Sequence, residues 1–246
     1  MGYHWNWGIF FENALFGSGT YLDLILSGLK WTLVVSLLAW VIAFSVGSVL
    51  GVLRTTSLKL LRAFATTYVE IFRNIPLLVQ MFIWYFVVPE LMPKAAGDWM
   101  KTGMPMPEHS SAILCLGFYT ASRVAEQVRS GIHSISSGQT YAAYAMGLTE
   151  AQVYRHVLLP MGYRIIIPPL TSEFLTIFKN SSVALTIGVL ELTAQSRQIT
   201  EYTFQGFEAF TAATVLYIMI TMTVIVIMRY VEGRVRVPGF IGTGGR

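Results

Sequence analysis

Apolar residues run along this chain in blocks longer than a soluble helix face requires, separated by short polar and basic stretches. Residues 31–53 hold no charged side chain, and a run of that length covers the ~20 residues needed to cross a bilayer. A first span is predicted over about 30–53. Within it Gly47 and Gly51 stand four apart, giving a small-residue face on which another helix can approach closely. Upstream, residues 1–30 mix aromatics (Trp5, Trp7, Phe10, Phe11, Phe16) with polar positions and end in Gly17, Ser18 and Gly19. That pattern predicts a segment at the membrane–water boundary and not a span. The apolar block 74–89 predicts a second span over about 63–88 that admits Glu70 and Arg73 near its end and is relaxed at Pro76. Residues 90–108 read as a loop because of Pro93, Gly97, Gly103, Pro105 and Pro107. The charge-free stretch 109–122 is too short alone, but Arg123, Glu126 and Arg129 recur every three residues and continue the helix as one wet ridge, giving a third span over about 109–131. A fourth is predicted over about 165–190, where Pro168 and Pro169 end one helix and start the next, and a fifth over about 209–229. The fold class is therefore all-α integral membrane protein, one transmembrane domain of about five helices over 1–246.

Composition agrees: 54% of the 246 residues are hydrophobic and 12% charged, against about 25% charged in soluble domains. Basic residues also fix an orientation. Segments 54–73, 123–164 and 229–246 hold four each, whereas 1–30, 90–108 and 191–208 hold one, two and one. The richer set is predicted to be cytoplasmic, with the N-terminus outside and the C-terminus inside. The net charge of +4 is accounted for by those loops and not by nucleic-acid binding. The first residues carry no basic leader before an apolar core, which speaks against a cleaved signal peptide. A lone Cys115 excludes an intramolecular disulfide.

Between the third and fourth spans lies a polar, helix-forming island. Ala142, Ala143, Ala145 and Met146 favour helix, and Gly147 suits a left-handed ending. Thr149 can cap a second short helix, with Glu150 and Gln152 in its first turn, and Pro160 is expected to stop it. Two short helices around a hinge, with alanines small enough for another backbone to approach, suit a plug for a partner's socket. The plain alternative is an amphipathic connector.

Charges inside membrane segments cost roughly 2.5–3.5 kcal/mol each on insertion scales and usually face a cavity or a partner. Glu173 and Lys179 lie in the fourth span. Six residues apart, they are rotated by about 240° around a helix and cannot share a face. Lys179 with Asn180, Ser181 and Ser182 is a candidate lining for a translocation path that suits an anion, with Glu173 a further candidate. Equally open is a Lys179 that snorkels or pairs across a subunit interface. Glu70 and Arg73, three apart, are read as a structural intra-helix ion pair in preference to a substrate contact. There is no Gly-x4-Gly-Lys-Ser/Thr phosphate loop and no Gly-x-Ser-x-Gly elbow, and His4, His109, His133 and His156 are scattered without metal spacing.

With these stretches in view, the chain resembles the permeases of ABC importers. Ala142, Ala143, Gly147 and Leu159-Pro160 match the spacing of their cytoplasmic coupling loop, here 132–164. Glu70-Ile-Phe-Arg73, Pro76-Leu77, Gln80 and the run from Pro168 to Ser182 look like the polar amino acid (histidine, glutamine, glutamate) branch. His4 to Phe10 and Tyr119 to Arg129 look most like a glutamate/aspartate importer permease. The resemblance implies the type I importer (MetI-like) fold in a bacterial inner membrane. It also implies a second homologous permease as heterodimer partner, a cytoplasmic ATPase dimer and a periplasmic substrate-binding protein. The expected chain is no enzyme and binds no cofactor of its own, ATP and Mg belonging to the ATPase. Alternating access would be driven through Tyr141, Ala142, Ala143, Gly147 and Pro160. The family's usual acidic residue at the first of these positions is Tyr141 here, leaving open whether the partner permease makes that charge contact. Competing readings are a permease for glutamine, arginine or histidine, and an ATP-independent channel or carrier. The latter would predict inverted repeats or a filter motif, and neither is evident. An intramembrane enzyme would need paired catalytic groups, which Glu173 and Lys179 do not provide.

Overall fold

The computed structural model describes residues 3–235. Arg236 and the rest of the basic, glycine-rich tail lie outside the described residues. Within them the regular structure is helical apart from an isolated antiparallel bridge between Asn13 and Thr20. In order come α1 (Tyr21–Leu53), α2 (Lys59–Asn74), α3 (Leu77–Phe82), α4 (Val88–Leu91), α5 (Lys94–Asp98), α6 (Pro107–His133), α7 (Ser137–Ala145), α8 (Glu150–Val153), α9 (Leu159–Asn180), α10 (Leu192–Thr203) and α11 (Gly206–Val235). By length and composition α1 and α11 can each cross a membrane alone.

Several boundaries differ from expectation, each for a local reason. The first helix starts at Tyr21, ten residues before the charge-free run, because Thr20 and Asp23 cap it. The Thr20 amide donates to Asp23 Oδ2 at 2.8 Å and the Asp23 amide donates back to Thr20 Oγ1 at 3.3 Å. The expected second span is two helices, since Ile75 before Pro76 is extended (φ −94, ψ 129). The supposed loop at 90–108 contains α5 and part of a further helical stretch.

Proline is accommodated in a recurrent way. Val88, Met104 and Leu159 each precede a proline, and each amide bonds to the carbonyl five residues back, on Ile83, Trp99 and Tyr154. Such π-turns widen the ladder just where the following ring has no N–H to offer. Pro160 consequently does not stop a helix; it is the second residue of α9. Nor do Pro168 and Pro169 separate two helices, for both lie inside α9. The helix forgoes two ladder bonds there, which membrane helices tolerate when neighbours and side chains compensate. It ends earlier than residue 190, passing at Asn180 into a 3-10 turn (Ser181–Ile187) closed by Gly188 at φ 93.

The described residues form two compact units, 3–41 with 76–117 and 176–223, and 42–75 with 118–175 and 224–235. In the first, Ile9, Tyr21, Ile25, Leu192, Ile199 and Ala213 share one core. Its unexpected helix α10 is started by the buried Glu191, whose carboxylate accepts from the amides of Thr193 and Ala194 and from the Tyr217 hydroxyl at 2.8–3.0 Å. A second buried carboxylate, Glu208, accepts from the Asn6 amide at 2.7 Å and from the Tyr3 hydroxyl, fixing the N-terminal segment.

In the second unit the glycine face of α1 meets α6. A Cβ on Gly47 would stand 2.7 Å from the Ala121 carbonyl oxygen and 2.6 Å from Val124 Cβ, and one on Gly51 would meet Ala125 and Val128 at the same distances. The close approach read from the spacing is thus made. From α2, the Tyr68 hydroxyl donates to the Phe118 carbonyl of α6 at 2.8 Å.

Candidate functional site

The polar island folds as a helix, a hinge and a helix, as its residues predict. Ser136 caps α7 by accepting from the Gly138 amide. At the other end the Gly147 amide donates to the Tyr144 carbonyl at 2.9 Å and the Leu148 amide to the Ala143 carbonyl at 3.2 Å. This paired closure requires a left-handed residue between, and Gly147 supplies it at φ 82. Thr149 and Gln152 then form a reciprocal capping box on α8. Exposed on α7 and just past its end are Tyr141, which is 70% exposed, Ala142, Tyr144 and Met146, whereas Ala143 is buried in its own unit.

Two contacts fasten this loop to the turn that follows α1. The Tyr154 hydroxyl donates to the Thr55 carbonyl at 2.8 Å, and the Ser57 hydroxyl donates to the Glu150 carboxylate at 3.1 Å. Burial pushes the Tyr154 phenol above its ordinary value, so it stays protonated and a donor. Between turn and loop lies a groove of about 460 Å³, with Arg62, Thr140 and Tyr144 among its lining residues.

The same turn opens a cluster of charges. Arg54 follows α1 directly and donates to Glu126 on α6. Glu126 also takes Arg129 at 2.5 Å, and Arg73 reaches within 3.7 Å of it. The expected Glu70–Arg73 pair is therefore not made: Arg73 points to Glu126, while Glu70 accepts from Asn74 at 3.4 Å. The reason is that Glu126 gathers cations from the turn after α1, from α2 and from its own helix, and outcompetes a neighbour on the same turn.

Arg123 completes the cluster by facing Glu173 at 3.7 Å while its guanidinium lies 5.4 Å over the Tyr119 ring. Arg73, Arg123, Glu126, Gln127 and Glu173 enclose a pocket of about 180 Å³. Glu173 lines it, and its Oε2 is buried and without a hydrogen-bond partner. Of the other path candidates, Lys179 is exposed on the described chain. Ser181 and Ser182 donate to the carbonyls of Phe178 and Lys179 at 2.8 and 2.7 Å, so their protons are already committed. Lys179 belongs to the first unit and Glu173 to the second. Among the described residues no group of three His, Cys, Asp or Glu side chains could hold a metal ion.

Residues 43–237 match the family described as binding-protein-dependent transport system inner membrane component. The chain belongs to that permease family. Among its relatives, the glutamate/aspartate import permease protein GltJ of Escherichia coli strain K12 is 48% identical over 244 residues, covering 98% of this chain and 99% of GltJ. The probable glutamine ABC transporter permease protein GlnM of Bacillus subtilis is 32% identical over 93% of this chain and 97% of its own. The crystal structure of an amino acid ABC transporter with histidines superposes with a TM-score of 0.74 at 30% identity, over 87% of this chain and 95% of that one. The inward-facing MetNI methionine transporter, 23% identical, shares the fold with a TM-score of 0.69 over 88% of this chain and 98% of its own. The permease thus has the type I importer fold that the family resemblance implied.

Sequence reasoning missed three features of this permease. The Thr55 and Ser57 anchors carried no signal beyond following an apolar run. The gathering of arginines on Glu126 needed the fold. Glu191 was legible in principle, as an acidic cap before a helix-forming stretch.

Proposed function

We propose that this chain is a membrane-spanning permease subunit of an ATP-driven importer of glutamate and aspartate. The observation that carries the reading is its 48% identity, over 98% of its length, to a protein named as the import permease for those amino acids. In this reading about five helices cross the inner membrane, with the N-terminus in the periplasm and the loop 132–164 in the cytoplasm. A second permease completes the translocation path, two copies of an ATPase hold ATP and Mg, and a periplasmic binding protein delivers substrate. The chain itself does no chemistry. Tyr141, Ala142 and Gly147 meet the ATPase, and the groove beneath them transmits its closure through Thr55 and Ser57 to α1. Lys179 and Asn180 contribute to the path.

The test is ATP-dependent uptake of labelled glutamate into vesicles carrying this chain, its partner permease, the ATPase and the binding protein. Aspartate should compete and glutamine and arginine should not. Competition by glutamine, the substrate named for several relatives, would keep the permease and remove the acidic specificity. Uptake without the ATPase would overturn the importer reading.

A further inference from the structure

The charged cluster of the second unit holds four guanidiniums, Arg54, Arg73, Arg123 and Arg129, against two carboxylates, Glu126 and Glu173. Glu126 is satisfied by Arg54 and Arg129 at hydrogen-bond distance. What remains facing the pocket of about 180 Å³ is Arg73, Arg123 and Glu173. Arg73 and Arg123 are 46% and 42% exposed, and their ion contacts in the cluster, at 3.7 Å, are too long for hydrogen bonds; Arg123 spends one N–H on the Tyr119 hydroxyl at 3.2 Å and keeps the rest of its fork. Glu173 is 13% exposed and its Oε2 has no hydrogen-bond partner. Two cations with unused N–H groups and a buried carboxylate whose charge partner stands 3.7 Å away leave bonding capacity for a ligand, because buried charges need close partners.

We propose that this pocket binds the transported molecule directly, as a site for an α-amino dicarboxylate. Arg73 and Arg123 take its two carboxylates, and the Glu173 carboxylate accepts from its ammonium. Charge, number and size agree: two cations and one anion complement two carboxylates and one ammonium, in a space suited to a single small amino acid. Guanidinium forks fit carboxylates in particular, and Gln127 adds an amide at the rim. The assignment rests on the acidic amino acid reading and gives it a site different from Lys179.

The experiment measures binding to the purified complex of this chain, its partner permease and the ATPase, without the binding protein. The probes are L-glutamate, glutarate, which lacks the ammonium, and 4-aminobutyrate, which lacks the α-carboxylate. The wild-type complex is expected to bind glutamate about tenfold or more tightly than either analogue, the loss of one charge-assisted contact. Arg73→Gln should weaken glutamate by about tenfold, and Glu173→Gln should close the gap between glutamate and glutarate to about twofold. Binding of all three compounds alike, no binding of glutamate, or wild-type affinity in Arg73→Gln would overturn the assignment. The analogue series needs no variant, so it decides the matter even where a substitution prevents assembly. Vesicle uptake by the wild-type complex is run in parallel. Absent glutamate uptake brings down the proposed function, whereas intact uptake with unselective binding brings down only this pocket.

Discussion

The phenol of Tyr154 donates to the main-chain carbonyl of Thr55 at 2.8 Å and stands 3.1 Å from the same residue's hydroxyl. A side chain of the polar loop is thereby fixed to the turn that ends the first membrane helix, and Arg54 in that turn holds Glu126 of α6. Force applied at the loop has a hydrogen-bonded route to two long helices.

Tyr154→Phe keeps the ring and removes the donor, at a net cost of about 1 kcal/mol. The complex should assemble, but glutamate imported per ATP hydrolysed should fall by about fivefold, the factor that energy corresponds to. Measuring both rates in the same vesicles checks it; an unchanged ratio would show that the contact transmits nothing.

Gly147→Asp separates folding from partner contact. A Cβ at Gly147 meets nothing within 4 Å on this chain, so the local cost is confined to backbone strain at φ 82, about 1–2 kcal/mol, and aspartate is among the side chains that bear the left-handed region best. The permease should therefore insert and remain stable, while transport is lost because the socket now receives a charge and extra bulk. Wild-type ATP-driven uptake by the variant would rule out the assigned contact.

Gly47→Ala tests the helix contact. The new methyl would sit 2.7 Å from a backbone carbonyl oxygen that cannot swing away, so the melting temperature in detergent should drop by an amount matching about 1–3 kcal/mol. Gly233→Ala is the control, since its Cβ meets nothing within 4 Å and alanine favours the helix. Equal melting of the two variants would mean that α1 and α6 do not depend on that approach.

These cases mark how far the sequence could be read. The glycine pair in α1, the hinge at Gly147 and the Thr149–Gln152 box were legible because each is local: residue type and spacing decide the backbone. Pro160, Pro168 and Pro169 were misjudged because proline was read by the rules of soluble helices, whereas here a π-turn precedes Pro160 and α9 runs on through the pair. The partner of Arg73 could not be read at all. Glu70 is three residues away and Glu126 is 53 away in sequence, and only the packing of α2 on α6 favours the distant one.

Lys179→Gln decides whether the exposed ammonium of α9 serves the path. Loss of a cation facing the route should lower uptake of glutamate by about tenfold or more while leaving assembly intact. Unchanged uptake would return Lys179 to the alternative held open for it, a side chain that snorkels or meets the partner permease.

Glu126→Gln addresses the charge cluster from its centre. Arg54 is only 9% exposed and relies on Glu126, as does Arg129, and removing one partner of a buried ion pair costs about 3–5 kcal/mol because the other charge stays behind. The variant should accumulate poorly in the membrane and melt early. Replacing Arg54 as well, with methionine to keep its volume, should restore part of the loss, since the stranded cation is gone. If the double variant were no more stable than Glu126→Gln alone, the cost would lie elsewhere in the cluster, with Arg73 and Arg129, and Arg54 would not be the residue that needs Glu126.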